Sequence, residues 1–254
     1  MYLVSVVIPT HNRAALVRAA IESVLAVHRD GFALEVLVVD DGSTDETAAV
    51  VRSLPVTYLR TEGIGASGAR NAGLHAATGD FIAFLDDDDL WLPNNISPQL
   101  RLFAEHPEYG AVHAQLLRTD GDRMPYGEPI PSGPLSSGWI HERLMTYWPQ
   151  LGTLLVRASV VHEIGDFDET LRSEEEWDWI LRIARRYPIG CVEEPVMLFC
   201  QRGYEDDVLN WQRVPDTIKV FHRHTRMYGP SRRLQLERVL WKHRGWYAAQ
   251  FVMS

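Results

Sequence analysis

The chain has 254 residues, 46% hydrophobic and 23% charged, enough for a full core in one large α/β domain or in a domain with an appendage. Its formal charge of −9 is uneven: from Asp216 to Ser254 eight Lys/Arg stand against two acids, a net of +6, so the other 215 residues carry −15. This excludes several classes: an acidic body argues against nucleic acid as the main partner, no run approaches the roughly 18 apolar residues of a membrane span, the N-terminus has no signal-like lead-in, and Cys191 and Cys200 offer neither a disulfide framework nor metal-ligand spacing, as expected of core thiols in a reducing compartment.

Val4 to Pro9 reads as an apolar strand running into Thr10, His11, Asn12 and Arg13. Leu16, Val17, Ala20, Ile21, Val24 and Leu25 then recur at helical spacing. Leu34 to Val39 is a second strand, ending in Asp40, Asp41 and Gly42. Ser43 with Glu46 three residues on fits a capping box and predicts a helix from there to about Ser53. Val56 to Leu59 is a third strand, followed by Gly63, Gly65 and Gly68 and a helix through Arg70, Asn71 and Leu74. Those glycines match neither the dinucleotide fingerprint nor the P-loop, so a flexible turn and a phosphate-facing backbone are both open readings.

Thr78, Gly79 and Asp80 lead into the central stretch, Phe81 to Leu85 followed by Asp86, Asp87, Asp88 and Asp89. Four carboxylates at the end of a buried strand exceed what turn formation or helix capping asks for, and they call for a counter-charge such as a divalent metal. Alternating strands and helices with continuous apolar strands imply right-handed crossovers and a mostly parallel, Rossmann-like sheet with helices on both faces. Thr10 to Asn12, Asp40 and Asp41, and Asp86 to Asp89 should therefore converge on one sheet edge as a ligand site.

Beyond Pro93 a helix is expected to run to His106, and Tyr109 to Leu117 reads as a strand. Asp120 to Gly138, with four Gly and four Pro, is expected to hold little regular structure. Trp139 to Trp148 places bulky residues near a bend, Leu151 to Val156 is a strand, and Ala158 to Ile164 is a short helix closed by Gly165. Ser173 is the expected N-cap of a helix through Glu175, Glu176, Trp177, Ile180, Leu181 and Ala184. Acids in its first turn suit the helix dipole, so a structural role and a catalytic one are both open for them. Ile218 to Tyr228 and Leu234 to Tyr247 read as basic, aromatic helices. They are suited to packing on the acidic body, to a homodimer contact, or to an anionic membrane surface.

Several motifs in order carry a family resemblance: Val4 to Arg13, Val38 to Asp45, Gly68 to Gly73, Phe84 to Asp89, Val156 to Val161 and Gly165 to Glu169. Together they resemble family 2 inverting glycosyltransferases of the GT-A fold over about residues 3 to 200. The resemblance implies a GT-A catalytic domain over 1–204, with a nucleotide-sugar half at about 1–117 and an acceptor half at about 118–204, followed by a helical extension over 205–254. It implies a nucleotide-diphosphate sugar donor, UDP-sugar favoured, bound by Pro9, Thr10, His11, Asp40, Asp41, Gly68, Arg70, Asn71, Asp86 and Asp87. Asp40 would meet the base, and Asp88 with Asp86 would hold Mn2+ or Mg2+. The family's general base is the Asp of a Glu-Asp pair that opens a helix. Glu175 and Glu176 match that pair here, in a register fixed by Asp178 and Arg182, so Glu176 stands in the Asp position.

A second departure follows Phe199, where Gln201, Arg202, Gly203 and Tyr204 replace the Arg and His of many relatives. The Gln-x-x-Arg-Trp signature of processive synthases is absent, which favours transfer of a single sugar. The acceptor would be a sugar or a lipid-linked hydroxyl in cell-surface or extracellular polysaccharide or glycoconjugate synthesis. The expected location is the cytoplasm or the inner face of the membrane. A nucleotide-sugar nucleotidyltransferase and a non-catalytic binding relative are the alternatives. The first lacks its longer glycine-rich basic loop here, and the second is prompted by Glu176.

Overall fold

The structure is a computed structural model that describes residues 1–132, 136–145, 147, 149–200 and 213–252, with backbone only for 242–252. In chain order the strands and helices of the first half are β1 (Tyr2–Thr10), α1 (Ala14–Leu25), β2 (Phe32–Asp41), α2 (Thr47–Arg52), β3 (Thr57–Thr61), α3 (Gly65–Ala76), β4 (Phe81–Phe84), β5 (Leu90–Trp91) and α4 (Ser97–Glu105). The second half holds β6 (Ala111–Thr119), β7 (Pro125–Ile130), α5 (His141–Leu144), β8 (Leu155–Arg157), α6 (Ala158–Ile164), α7 (Glu175–Ala184), β9 (Ile189–Cys200), α8 (Val214–Thr225) and α9 (Pro230–Val252).

The strands form one sheet in the order β3-β2-β1-β4-β8-β6-β9-β5, with β7 paired to β6. From β3 to β4 all neighbours are parallel, as right-handed crossovers through α1, α2 and α3 require. Beyond β4 the sheet is mixed: β8 is antiparallel to both β4 and β6, β6 and β9 are parallel, and β5 is antiparallel to β9. The expectation of parallel pairing thus holds for the half built from strand–helix repeats.

Alternation along the strands separates two cores. Val7, Leu37, Val39, Ile82 and Phe84 face one, which also holds α7 and side chains of α8 and α9. Val6, Ile8, Val36, Val38, Ala83 and Leu85 face the other, under α1 and α4. The α3 helix packs tightly on β1 at Gly73, where an added Cβ would lie 2.3 Å from a Val7 methyl. The α7 helix is buried nearly all round, with Trp177, Trp179, Ile180, Leu181 and Ile183 each at 0% exposure. The indole N–H groups of its tryptophans donate to carbonyls of Leu144 and Gly165.

Local chemistry corrects four expectations. No capping box forms, because the Ser43 hydroxyl accepts the Asn12 N–H at 2.8 Å and the helix begins only at Thr47. Asp45 receives the Thr47 N–H there, at 2.9 Å. Ser173 does not cap α7; the helix starts one residue later, behind Glu174 with φ +65. Residues 125–130 form a strand despite their prolines, since β7 lies off the main strand order and pairs only with β6, where a missing N–H is tolerated. Leu151–Thr153 is a 3-10 turn, leaving only Leu155–Arg157 as strand.

Val220, Phe221, Leu236 and Leu240 are buried in the first core, so α8 and the start of α9 pack on the body. Basic side chains join that contact: Arg223 pairs with Asp168 and Asp178, and Arg232 pairs with Glu142. Leu234, Val239 and Trp241 remain exposed. No described helix is long and apolar enough to cross a membrane. Residues 201 to 204 and the side chains from 242 to 247, within the second of the expected basic helices, lie outside the described residues.

Candidate active site

Parallel register brings the strand ends together: Thr10 lies opposite Asp40, and Val7 opposite Phe84, whose successor Leu85 donates to the Val7 carbonyl. The three polar clusters therefore meet on one sheet edge, as the crossovers require. Thr10 then reaches across to the acidic stretch, its hydroxyl donating to Asp87 at 2.7 Å. Arg13 donates to the other Asp87 oxygen at 2.6 Å and lies 3.6 Å from Asp88. Asp87 is thus turned into the protein, 2% exposed. Burial lifts its pKa despite Arg13 and Thr10.

Asp86, Asp88 and Asp89 each offer an oxygen within 4.8 Å of the others. The sequence reading chose Asp86 and Asp88 and left out Asp89. The Asp89 N–H donates to the Asp86 carbonyl at 3.1 Å, a turn that folds the first and fourth acids together. Asp89 is 4% exposed and receives the Cys200 N–H of β9 at 2.9 Å. Burial, followed by the charge of Asp86, pushes its carboxyl up to about 8. Three clustered carboxylate oxygens, one from each of Asp86, Asp88 and Asp89, suit a hard divalent cation such as Mg2+ or Mn2+.

Arg70 of α3 is the centre of the second group. Its guanidinium lies 2.7 Å from Asp86, 2.9 Å from Glu175 and 2.7 Å from Glu176. The sequence-predicted pair opening α7 is therefore joined to the acidic turn through one arginine. Burial alone would lower the Arg70 pKa, but Glu176, Asp86 and Glu175 outweigh it. Burial raises the pKa of Glu176 and Arg70 opposes it, while Asp86 and Glu175 push it further up. Arg70 Nε is buried and has no hydrogen-bond partner among the described residues. Asp86, Asp88, Asp89, Glu175 and Glu176 gather around Arg70, with Arg13 beside Asp88, so carboxylates outnumber arginines there, a balance that a divalent cation would redress.

The other predicted residues fall into place unevenly. His11 is exposed, its ring Nδ1 2.6 Å from the Asp41 carbonyl, beside half-buried Pro9. Asp40 is fully buried and takes hydrogen bonds from Ser43 N–H, Tyr58 and Arg60. Burial would raise it, yet the Ser43 and Tyr58 hydrogen bonds and Arg60 hold it below the usual carboxylate range. Asp41 accepts from Thr61 and from the N–H groups of Ile64 and Gly65. The start of α3 is thus engaged by an internal carboxylate. Gly68 is buried in α3 against Ile64, and Asn71 spends its amide on Phe167 and Glu169.

A cavity of about 310 Å3 opens beside Glu175, between Ile64–Ser67 at the start of α3 and the side chains of Glu169, Leu171 and Arg172. A larger one, about 410 Å3, lies between α8 and α9 and is lined by none of these site residues. The smaller one is lined by Glu175, which Arg70 joins to Asp86 of the acidic turn.

A sequence profile of the family Glycosyl transferase family 2 matches residues 5–135. Among curated relatives, an uncharacterized glycosyltransferase of Rickettsia bellii is 30% identical over 211 residues, 82% of this chain but 30% of the relative. The chain spans about a third of the length of the curated relatives it matches first. The Escherichia coli UDP-Glc:alpha-D-GlcNAc-diphosphoundecaprenol beta-1,3-glucosyltransferase WfgD is 38% identical over 109 residues, 41% of this chain and 42% of that one.

Among solved structures, S. aureus TarS 1–349 in complex with UDP-GlcNAc superposes with TM-score 0.72 at 20% identity, covering 94% of this chain and 71% of that one. The mannosyltransferase PcManGT from Pyrobaculum calidifontis, in complex with GDP-Man and Mn2+, gives 0.66 at 21% identity, with 94% and 69% covered. These likenesses place the fold among GT-A glycosyltransferases. With the profile covering residues 5–135, the chain belongs to glycosyl transferase family 2.

Proposed function

We propose that the chain is a metal-dependent inverting glycosyltransferase that moves one sugar from a nucleotide-diphosphate sugar, a UDP-sugar favoured, to a hydroxyl acceptor. The observation that carries this is the Arg70 junction, which brings Asp86 of the acidic turn and Glu175 and Glu176 of α7 onto one guanidinium. A donor-side acid cluster and an acceptor-side carboxylate then share one fixed point. The UDP-sugar preference is supported by the TarS complex and by the name of the E. coli relative, and the PcManGT complex keeps a guanosine donor within range.

In this reading Glu176 accepts the proton of the acceptor hydroxyl as its oxygen bonds to the anomeric carbon. The bond from that carbon to the diphosphate oxygen breaks on the opposite face, and one displacement inverts the centre. A raised pKa at Glu176, from burial first, suits a base that must hold a proton. Asp86, Asp88 and Asp89 would hold the divalent cation, which supplies charge stabilisation for the departing diphosphate. Arg13 and Thr10 fix Asp87, and through it the path of the acidic turn. Pro9, Thr10, His11, Asp40 and Asp41 would flank the nucleotide. The diphosphoundecaprenol in the name of the E. coli relative supports a lipid-linked acceptor, in keeping with a role in cell-surface polysaccharide or glycoconjugate synthesis. Such an acceptor would place the protein at the inner membrane face.

Release of free nucleotide diphosphate from a panel of nucleotide sugars, with Mn2+ or with EDTA, tests the proposal. Metal-dependent release with one nucleotide family is expected. Donor binding without any turnover across acceptors would favour the non-catalytic reading that Glu176 in place of Asp suggests.

A further inference from the structure

The start of α7 is held from outside. Glu174, just before the helix, has a left-handed backbone at φ +65, unusual for a residue with a side chain, and no side-chain cap closes the helix start. The N–H groups of Arg172 and Ser173 donate instead to one oxygen of Asp216, at 2.8 and 3.1 Å. The Thr217 hydroxyl reaches Glu174 at 3.3 Å. Both belong to the first turn of α8, beyond the residues the family profile matches.

The last turn of α8 grips the same helix one turn further on. Arg223 donates to Asp178 at 2.7 Å and to Asp168 at 2.8 Å, and His224 lies 2.9 Å from the same Asp178 oxygen. Asp178 is fully buried, and its second oxygen takes the Arg182 guanidinium at 2.9 Å. Between these two grips sit Glu175 and Glu176, crowded with Asp86 around Arg70. Three carboxylates on one cation repel one another, so the geometry persists only if the backbone carrying two of them is fixed.

We propose that α8 is a positioning brace for the general base, with Asp216 as the positioning residue that fixes the Arg172–Glu174 turn and so aims Glu176. This rests on the reading of Glu176 as the base. Asp216 touches no reacting atom; it acts through the turn it receives. Displacing a catalytic carboxylate by about 1 Å can cost on the order of a hundredfold in rate. The C-terminal segment therefore contributes to catalysis through its first helix.

The test compares Asp216→Ala, Asp216→Asn and Glu176→Gln in the full chain, by donor turnover with Mn2+ and by amide hydrogen exchange. Asp216→Ala should lower kcat at least about tenfold, leave donor KM within about threefold, and speed exchange at 172–178 at least about tenfold with α3 unchanged. Asp216→Asn, which keeps an acceptor oxygen, should restore most of both. If Asp216→Ala does not fold, Asp216→Asn carries the test, with exchange at 172–178 faster by about threefold. Wild-type exchange at 172–178 in the variant that is measured, or unchanged kcat with that segment loosened, overturns the brace. Wild-type turnover in Glu176→Gln instead removes the base assignment, and the exchange result then decides on the brace alone.

Discussion

Arg70 ties together three carboxylates from two distant stretches, and its neutral replacement would free all three at once. Glu176→Gln keeps the shape and removes the proposed base, so kcat should fall at least about a hundredfold with donor affinity little changed. A rate within tenfold of wild type would contradict that role. Asp89→Asn should weaken Mn2+ binding, measured by calorimetry in the presence of nucleotide, as much as Asp88→Asn does, because both oxygens lie in the same cluster. That the acids would gather was readable in the run from Asp86 to Asp89; which of them faced the ligand was not. The turn bond from Asp89 to Asp86 is local, but the capture of Asp87 by Thr10 and Arg13, and the Cys200 N–H on Asp89, come from residues far away in sequence. Glu175 and Glu176 came into view through the motif order, since acids in a first helical turn are also what the dipole favours.

Two buried histidines give a pH signature at the same scale. Burial pushes His113 and His141 down to about 4, with Arg143 lowering the first further and His224 the second. An unfolded histidine protonates near 6.5, so the unfolded chain gains protons first as pH falls. The stability from each is complete above about pH 6.5 and is lost as pH falls towards about 4, with about 2 kcal/mol gone per residue by pH 5. The raised carboxyls of Asp87, Asp89 and Glu176 act in the opposite direction, so the wild-type slope mixes both. Urea unfolding of wild type and His113→Gln at pH 7 and pH 5 isolates one term. The variant should lose about 2 kcal/mol less than wild type over that interval, and equal losses would contradict the assignment.

At the scale of elements, α7 is the helix on which the site depends, and it is held by packing more than by its caps. Trp179 is fully buried, stacked on Phe167 at 4.8 Å between ring centroids and edge-on to Phe84 at 5.6 Å. Trp179→Ala should cost about 3–5 kcal/mol. It should lower Tm by about 10 °C. A shift under 3 °C would show that the helix is held elsewhere. The contact of α3 with β1 makes a second case. Gly73→Ala pushes a methyl into Val7 and should cost about 1–3 kcal/mol, and pairing it with Val7→Ala should cost less than the sum of the two.

Strong apolar runs and helical periodicity made β1, β2, β4 and α1 legible, because burial on a sheet face dictates both. The caps were less so. Ser43 is taken by Asn12 and the Ser173 N–H by Asp216, partners that no local pattern reveals. The strand at 125–130 escaped notice because its prolines are tolerable only where a strand has a single partner, which is a property of the whole sheet.

Taken whole, the molecule joins an acidic body to a basic C-terminal segment, and part of that segment's charge is spent on the body through Arg223 and Arg232. The remaining acidity concentrates where β1, β2 and β4 end, which is where the parallel half of the sheet offers a ligand site. Nucleotide binding there should depend on a cation, since a diphosphate alone would meet the acids Asp86, Asp88 and Asp89, which Arg70 and Arg13 offset only in part. The most direct measurement is thermal unfolding against a panel of nucleotide diphosphates, each with and without Mn2+. A ligand bound only by the folded chain raises the midpoint by mass action. The account predicts a rise with one nucleotide family, present with Mn2+, absent with EDTA, and lost in Asp88→Asn. No rise with any nucleotide, or a rise indifferent to metal and to Asp88→Asn, would contradict it.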